Sequence, residues 1–160
     1  MKGLYRGFCR NENGTETIVL NGERIKGDWV QGNLFVTTLQ YPNKEVKEYH
    51  IYDSYIGIGE DDLPCYQSGL DEIVLPETVC EAVRGLTDRN GKQVFEGDKA
   101  IAQGHRGNVV FASGAYAIDY DTPITEDWLG TMIYCLEGED NTFDIEVIGT
   151  IFDEQFSEGV

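Results

Sequence analysis

The sequence predicts a mainly β fold, built of small antiparallel barrels or sheets with little helix. Three observations carry this expectation. An Asn21-Gly22 step sits between the strand-like runs Thr17–Leu20 and Glu23–Lys26, which is the strongest two-residue hairpin signal. Short β-branched and aromatic runs recur between glycine-bearing turns. The C-terminal half also alternates apolar and polar residues with the period of two that places one face of a strand inward.

In chain order, the Asn21-Gly22 hairpin is followed by a second expected hairpin, in which Gln31-Gly32-Asn33 turns between Trp29-Val30 and Leu34–Thr38. Val46–Tyr52 is the next strand, after the turn signal Tyr41-Pro42-Asn43. Residues 1–56 thus read as an N-terminal β region. Residues 57–84 read as an irregular bridge, because Gly57, Gly59, Pro64, Gly69 and Pro76 interrupt any period. That bridge has room for a short helix over Leu75–Arg84 with Pro76 in its first turn. Residues 85–160 return to strands, over Lys99–Ala102, Asn108–Phe111, Ala115–Tyr120, Thr131–Tyr134 and Phe143–Ile148. Tyr116, Ile118 and Tyr120 share one face, as do Phe143, Ile145 and Val147 opposite Asp144 and Glu146. Short strands at close spacing suggest an SH3-like barrel for this C-terminal half.

Composition narrows the function classes. Apolar residues are 41% and charged residues 26%, the balance of a folded globular chain. No apolar run approaches the roughly 20 residues that span a bilayer, and Met1–Phe8 lacks the apolar stretch of a secretory signal, so a cytoplasmic location is expected. Cys9, Cys65, Cys80 and Cys135 are scattered singly and read as reduced thiols, and Asn13-Gly14-Thr15 reads as a turn instead of a glycan site. Asp and Glu number 29 against 12 Lys and Arg, a formal net charge of −17. That field opposes direct binding of nucleic acid and anionic membranes while favouring solubility and basic partners.

The stretch Gly85-Leu86-Thr87-Asp88-Arg89-Asn90-Gly91-Lys92-Gln93-Val94-Phe95-Glu96-Gly97-Asp98 resembles the signature of the YopX family of phage and prophage proteins. Glu146–Asp153 is similar to the family's closing strand, and Gly27–Leu34 adds a weaker likeness near the start. The resemblance implies a small protein of a bacterial host cell with no enzymatic activity attached to it. This chain departs from the family pattern where Cys80 lies in a stretch that usually carries another glycine, and where Thr150 replaces the usual asparagine.

Turn chemistry accounts for the signature without invoking activity. Asn90 and Gly91 tolerate positive φ, and an Asp88 carboxylate can accept hydrogen bonds from amides two residues on. Clustering of Asp88, Glu96 and Asp98 around a hard cation is the weaker reading, since the later ligands of a calcium loop do not fall in register. No metal, cofactor or catalytic residue is therefore assigned: His50 and His105 lack motif partners, and the P-loop, G-x-S-x-G and H-E-x-x-H motifs are missing. Gly104–Gly107 reads as a hairpin loop in preference to an anion-binding turn around Arg106. The candidate interaction surface comprises Trp128, Tyr116, Tyr120, Asp88, Glu96 and Asp98, with packing in the core as the plainer role of the aromatic rings.

Two functions from different classes follow. The first is a non-enzymatic binding or assembly module that forms homo-oligomers. The alternative is an acidic decoy, a DNA mimic whose clusters at residues 59–62 and 137–141 engage a basic host protein that binds nucleic acid.

Overall fold

The computed structural model describes residues 4–58, 64–112, 114–122, 131–132 and 145–156, with the backbone path alone for 53–58, 64–70 and 131–132. Strands dominate it, as expected. Of the expected small antiparallel barrels or sheets, it is sheets and not closed barrels that form among the described residues. The chain folds as two compact units: Met1–Ile18 with Arg24–Glu81, and Val19–Glu23 with Ala82–Val160.

The first unit is built on β1 (Tyr5–Arg10), β3 (Glu23–Tyr41), β4 (Lys44–Ile58) and β5 (Pro64–Val74), in the spatial order β5-β4-β3-β1. Strand β2 (Glu16–Leu20) turns into β3 at Asn21-Gly22, where φ is 52° and 80°. Those positive values are what an Asn-Gly hairpin turn requires. Strand β3 turns into β4 across Pro42-Asn43, with Tyr41 paired to Lys44. Gly14 N–H donates to Asn11 O at 3.0 Å, so the Asn13-Gly14-Thr15 region is indeed a turn. Phe8, Ile25, Ile51 and Val74 are buried, and the Phe8 ring meets Trp29 edge-on with centroids 5.3 Å apart.

Three expectations for this region are corrected. First, no hairpin forms at Gln31–Asn33, because β3 runs straight through Gly32. Gly32 is where β3 changes partner: Tyr5 of β1 pairs with Gly32, and the next pair is Asn33 with Tyr52 of β4. A Cβ at Gly32 would collide with the Tyr52 carbonyl oxygen, so the glycine permits close backbone approach instead of a reversal. Second, the bridge is not irregular throughout, since β5 pairs with β4 from Ile58↔Pro64 to Tyr49↔Val74. Pro64 is its first residue and β5 ends the strand order, the two places where a strand tolerates proline. Third, the helix over Leu75–Arg84 shrinks to a 3-10 turn at Pro76–Thr78, with Pro76 in its opening as expected. Buried Thr78 ends it: its Oγ1 donates to Leu75 O at 2.7 Å and accepts the Phe8 N–H at 2.9 Å. The β-branched Val79 is already extended, and β6 (Cys80–Thr87) follows.

The second unit contains β6 from Ala82 onward, β7 (Gln93–Phe95), β8 (Asp98–Ala102), β9 (His105–Ala112), β10 (Ala115–Tyr120), β11 (Thr131–Met132) and β12 (Ile145–Thr150). Five of them lie in the order β11-β10-β9-β8-β12. Strands β8 and β9 join through Gln103-Gly104, with φ of 53° and 79°, so the hairpin turn is tighter than the expected loop Gly104–Gly107, and His105, Arg106 and Gly107 lie on β9. The core gathers Val83, Leu86, Val94, Val109, Ile118 and Ile145, and Val147 packs against it. Ala117 is buried as well, so β10 is covered on both faces. Trp128, Tyr134, Phe143, Cys135 and the acidic clusters at 59–62 and 137–141 lie outside the described residues.

Candidate functional site

The signature residues act as fasteners of backbone turns. Asp88 Oδ1 accepts the N–H groups of Asn90 and Lys92, both at 2.9 Å, while Oδ2 accepts that of Val147 on β12 at 3.0 Å. Gly91, with φ of 80°, closes the turn by donating to Asp88 O at 2.9 Å. The expected Asx geometry is therefore present, with a further amide captured from β12. Burial pushes the Asp88 carboxyl up, but the amides of Val147, Lys92 and Asn90, with the Lys92 charge, outweigh it and hold the group below the ordinary carboxylate range. Asp98 is fully buried and its Oδ2 accepts the Phe95 N–H at 2.8 Å. Between them Gly97 donates to Val109 O and accepts from the Ile151 N–H. Glu96 is half-buried. Among the described residues no group of three or more His, Cys, Asp or Glu is placed to hold a metal ion.

Tyr116 and Tyr120 sit in the core of the second unit, and the Tyr120 hydroxyl donates to Ala102 O at 3.3 Å. Trp128 lies outside the described residues. Thr150 uses its Oγ1 to accept the Phe152 N–H at 3.1 Å. That is the bond to the amide two residues on that an asparagine side chain makes.

The surface that sequence reading missed is on β3, β4 and β5. Pairing of Phe35 with His50, Leu39 with Val46, and His50 with Ile73 places these five side chains on one face, together with Thr37 and Tyr41. Leu39, Tyr41 and Ile73 are 40%, 48% and 53% exposed there, and Val36 on the opposite face is 44% exposed. Phe35 stacks on His50 with centroids 4.4 Å apart. His50 has partners after all: Nδ1 lies 3.0 Å from Asp71 Oδ1 and Nε2 lies 3.3 Å from Thr37 Oγ1. This chain of polar groups ties three neighbouring strands together beside the apolar patch.

The second unit carries a polar cavity of about 490 Å³, lined by Lys99, Arg106, Asn108, Asp121, Ile151 and Phe156, with Thr122 and Gln155 beside them. Lys99 pairs across the ladder with Asn108, so its ammonium reaches Asn108 Oδ1 at 2.8 Å and Asp121 Oδ1 at 2.6 Å. Arg106 Nε donates to Asp121 Oδ2 at 2.7 Å. The Phe156 ring faces both cations, with Lys99 Nζ 5.6 Å and Arg106 Cζ 5.5 Å from its centroid. Burial raises the Asp121 carboxyl, yet the hydrogen bonds and charges of Lys99 and Arg106 prevail and lower it.

Comparison with known proteins gives one family: a family model described as YopX protein matches residues 34–155. No curated protein matches the chain.

Proposed function

The chain belongs to the YopX family, and from that premise we propose that it is a non-enzymatic assembly module that self-associates through the face formed by β3, β4 and β5. One observation carries the reading: Leu39 and Tyr41 of β3 and Ile73 of β5 stand exposed on one face, and β5 ends the strand order. An edge strand offers unpaired backbone groups, and a neighbouring apolar patch supplies the burial that makes pairing favourable. Lys44 and Glu48, on the same face by register, supply a polar rim. A second copy presenting the same patch completes both needs through a two-fold, self-complementary contact. Four singly scattered cysteines, read as reduced thiols, suit the reducing cytoplasm of a bacterial host, where we place the protein. Among the described residues no helix is long and apolar enough to cross a membrane.

Sedimentation of the full chain tests this. Self-association is expected to strengthen as salt rises, because ions screen repulsion between copies that each carry −17. Added divalent metal should leave the mass unchanged. The paired substitutions Leu39→Ser and Ile73→Ser should give a monomer of unaltered fold, and a wild-type chain that stays monomeric at high concentration would refute the reading. The competing acidic decoy rests on the same net charge and predicts the opposite sign. A decoy stays monomeric, captures a basic protein from host lysate at low salt, and releases it as salt rises.

A further inference from the structure

We propose that the cavity lined by Lys99, Arg106, Asp121 and Phe156 binds a small monocarboxylate with an apolar body. Lys99 lies on the strand Asp98-Lys99-Ala100-Ile101-Ala102, and its side chain is only 9% exposed. A buried ammonium is costly unless it is paired, and here Asp121 and Asn108 pair it. Asp121, however, is shared between two cations. Among the residues that line the cavity, Lys99 and Arg106 bring two positive charges against the one carboxylate of Asp121.

The donors left over have a definite shape. Asp121 takes only Nε of Arg106, whose side chain is 55% exposed, and among the described residues the two Nη groups carry no hydrogen bond. A guanidinium with its terminal fork open matches the two oxygens of a planar carboxylate. Lys99 adds a further N–H beyond the two that Asn108 and Asp121 accept. Charge selects the ligand class. A monoanion brings the cluster to neutrality, whereas a phosphate monoester carries about −1.5 to −2 near neutral pH and overshoots it. Ile151 and the Phe156 ring form an apolar wall, which a bare acetate leaves uncovered and an aromatic or branched aliphatic acid covers. The volume of about 490 Å³ lies in the range of small-molecule sites.

Benzoate, titrated into the full chain and followed through backbone amide resonances, tests the assignment. Saturable shifts are expected at the amides of Thr122, Ile151 and Gln155. Benzamide, which has the same shape and no charge, should produce none at equal concentration. Arg106→Gln removes the fork at a largely exposed position and should weaken benzoate binding about tenfold or more, with the rest of the spectrum unchanged. Arg106→Lys keeps the charge without the fork and should bind at an intermediate level. Absence of saturable shifts up to about 10 mM benzoate, equal shifts from benzamide, or unaltered affinity in Arg106→Gln would each overturn the proposal. Displacement of benzoate by inorganic phosphate at lower concentration would overturn the choice of a monocarboxylate.

Discussion

Strand β10 and the outer half of β3 are alike as sequences and opposite in fate. Ala115–Tyr120 and Leu34–Tyr41 both mix aromatic, aliphatic and polar residues with a period of two. In β10, Tyr116, Ala117, Ile118 and Tyr120 are all buried, whereas in β3 Val36, Leu39 and Tyr41 are exposed. The difference is one of cover. Strand β10 lies between β9 and β11 and its ring and aliphatic groups enter a packed core. Past Gly32, β3 has left β1 and pairs with β4. Period two therefore assigns a side chain to a face, and only the elements packed against that face decide whether it is dry.

The sharpest test of this contrast is a matched pair of truncations. Ile118→Ala should destabilise the chain by about 3–4 kcal/mol, because it removes buried methyl groups and leaves a void in the core of the second unit. Leu39→Ala should change monomer stability by less than about 0.5 kcal/mol. Urea unfolding at low protein concentration reads both, and equal losses would break the comparison.

A smaller but more specific effect is expected at Asp88. Asp88→Ala leaves three backbone amides without their acceptor and should cost about 2–3 kcal/mol. The pH dependence has a definite sign. The folded-state pKa lies below the ordinary value, so the carboxylate's contribution is complete above an unfolded pKa of about 3.9 and is lost as pH falls through the folded value. Urea unfolding of the wild type should weaken more steeply below about pH 4 than that of Asp88→Asn, which cannot titrate. Parallel profiles would remove Asp88 as the acid-sensitive fastener.

The smallest effect is expected at Thr150→Asn. An asparagine side chain can accept the same Phe152 amide, so stability should move by less than about 0.5 kcal/mol, while Thr150→Val should lose about 1 kcal/mol with that acceptor. Thermal unfolding of the two variants side by side checks this.

What was legible in the sequence was local. Asn21-Gly22 needs positive φ, Asp88 captures amides within its own turn, and Ala115–Tyr120 has a sidedness readable from six residues. What was hidden depends on distant partners. Gly32 has the look of a turn glycine until the Tyr52 carbonyl is seen beside it. Pro64 and Gly69 disguised β5, because proline weakens a strand reading wherever edge position is unknown. The partners of His50 were invisible for the same reason, since Thr37 and Asp71 reach it across separate ladders. For the cavity, the one available signal was Lys99 set among alanine and isoleucine; Asp121 and Phe156 come from other parts of the chain.

Residues Val19–Glu23 belong to the second unit although they precede most of the first, and the Val19 N–H donates to Phe152 O at 2.8 Å. No single proteolytic nick or gene truncation can then release that unit whole, since a fragment starting at Ala82 lacks a piece of itself. On the ribosome, the donor amide emerges well before its acceptor and waits while the chain between them is made. Ring closure over such a separation is entropically slow, so completion of the second unit is expected to be a late event in folding.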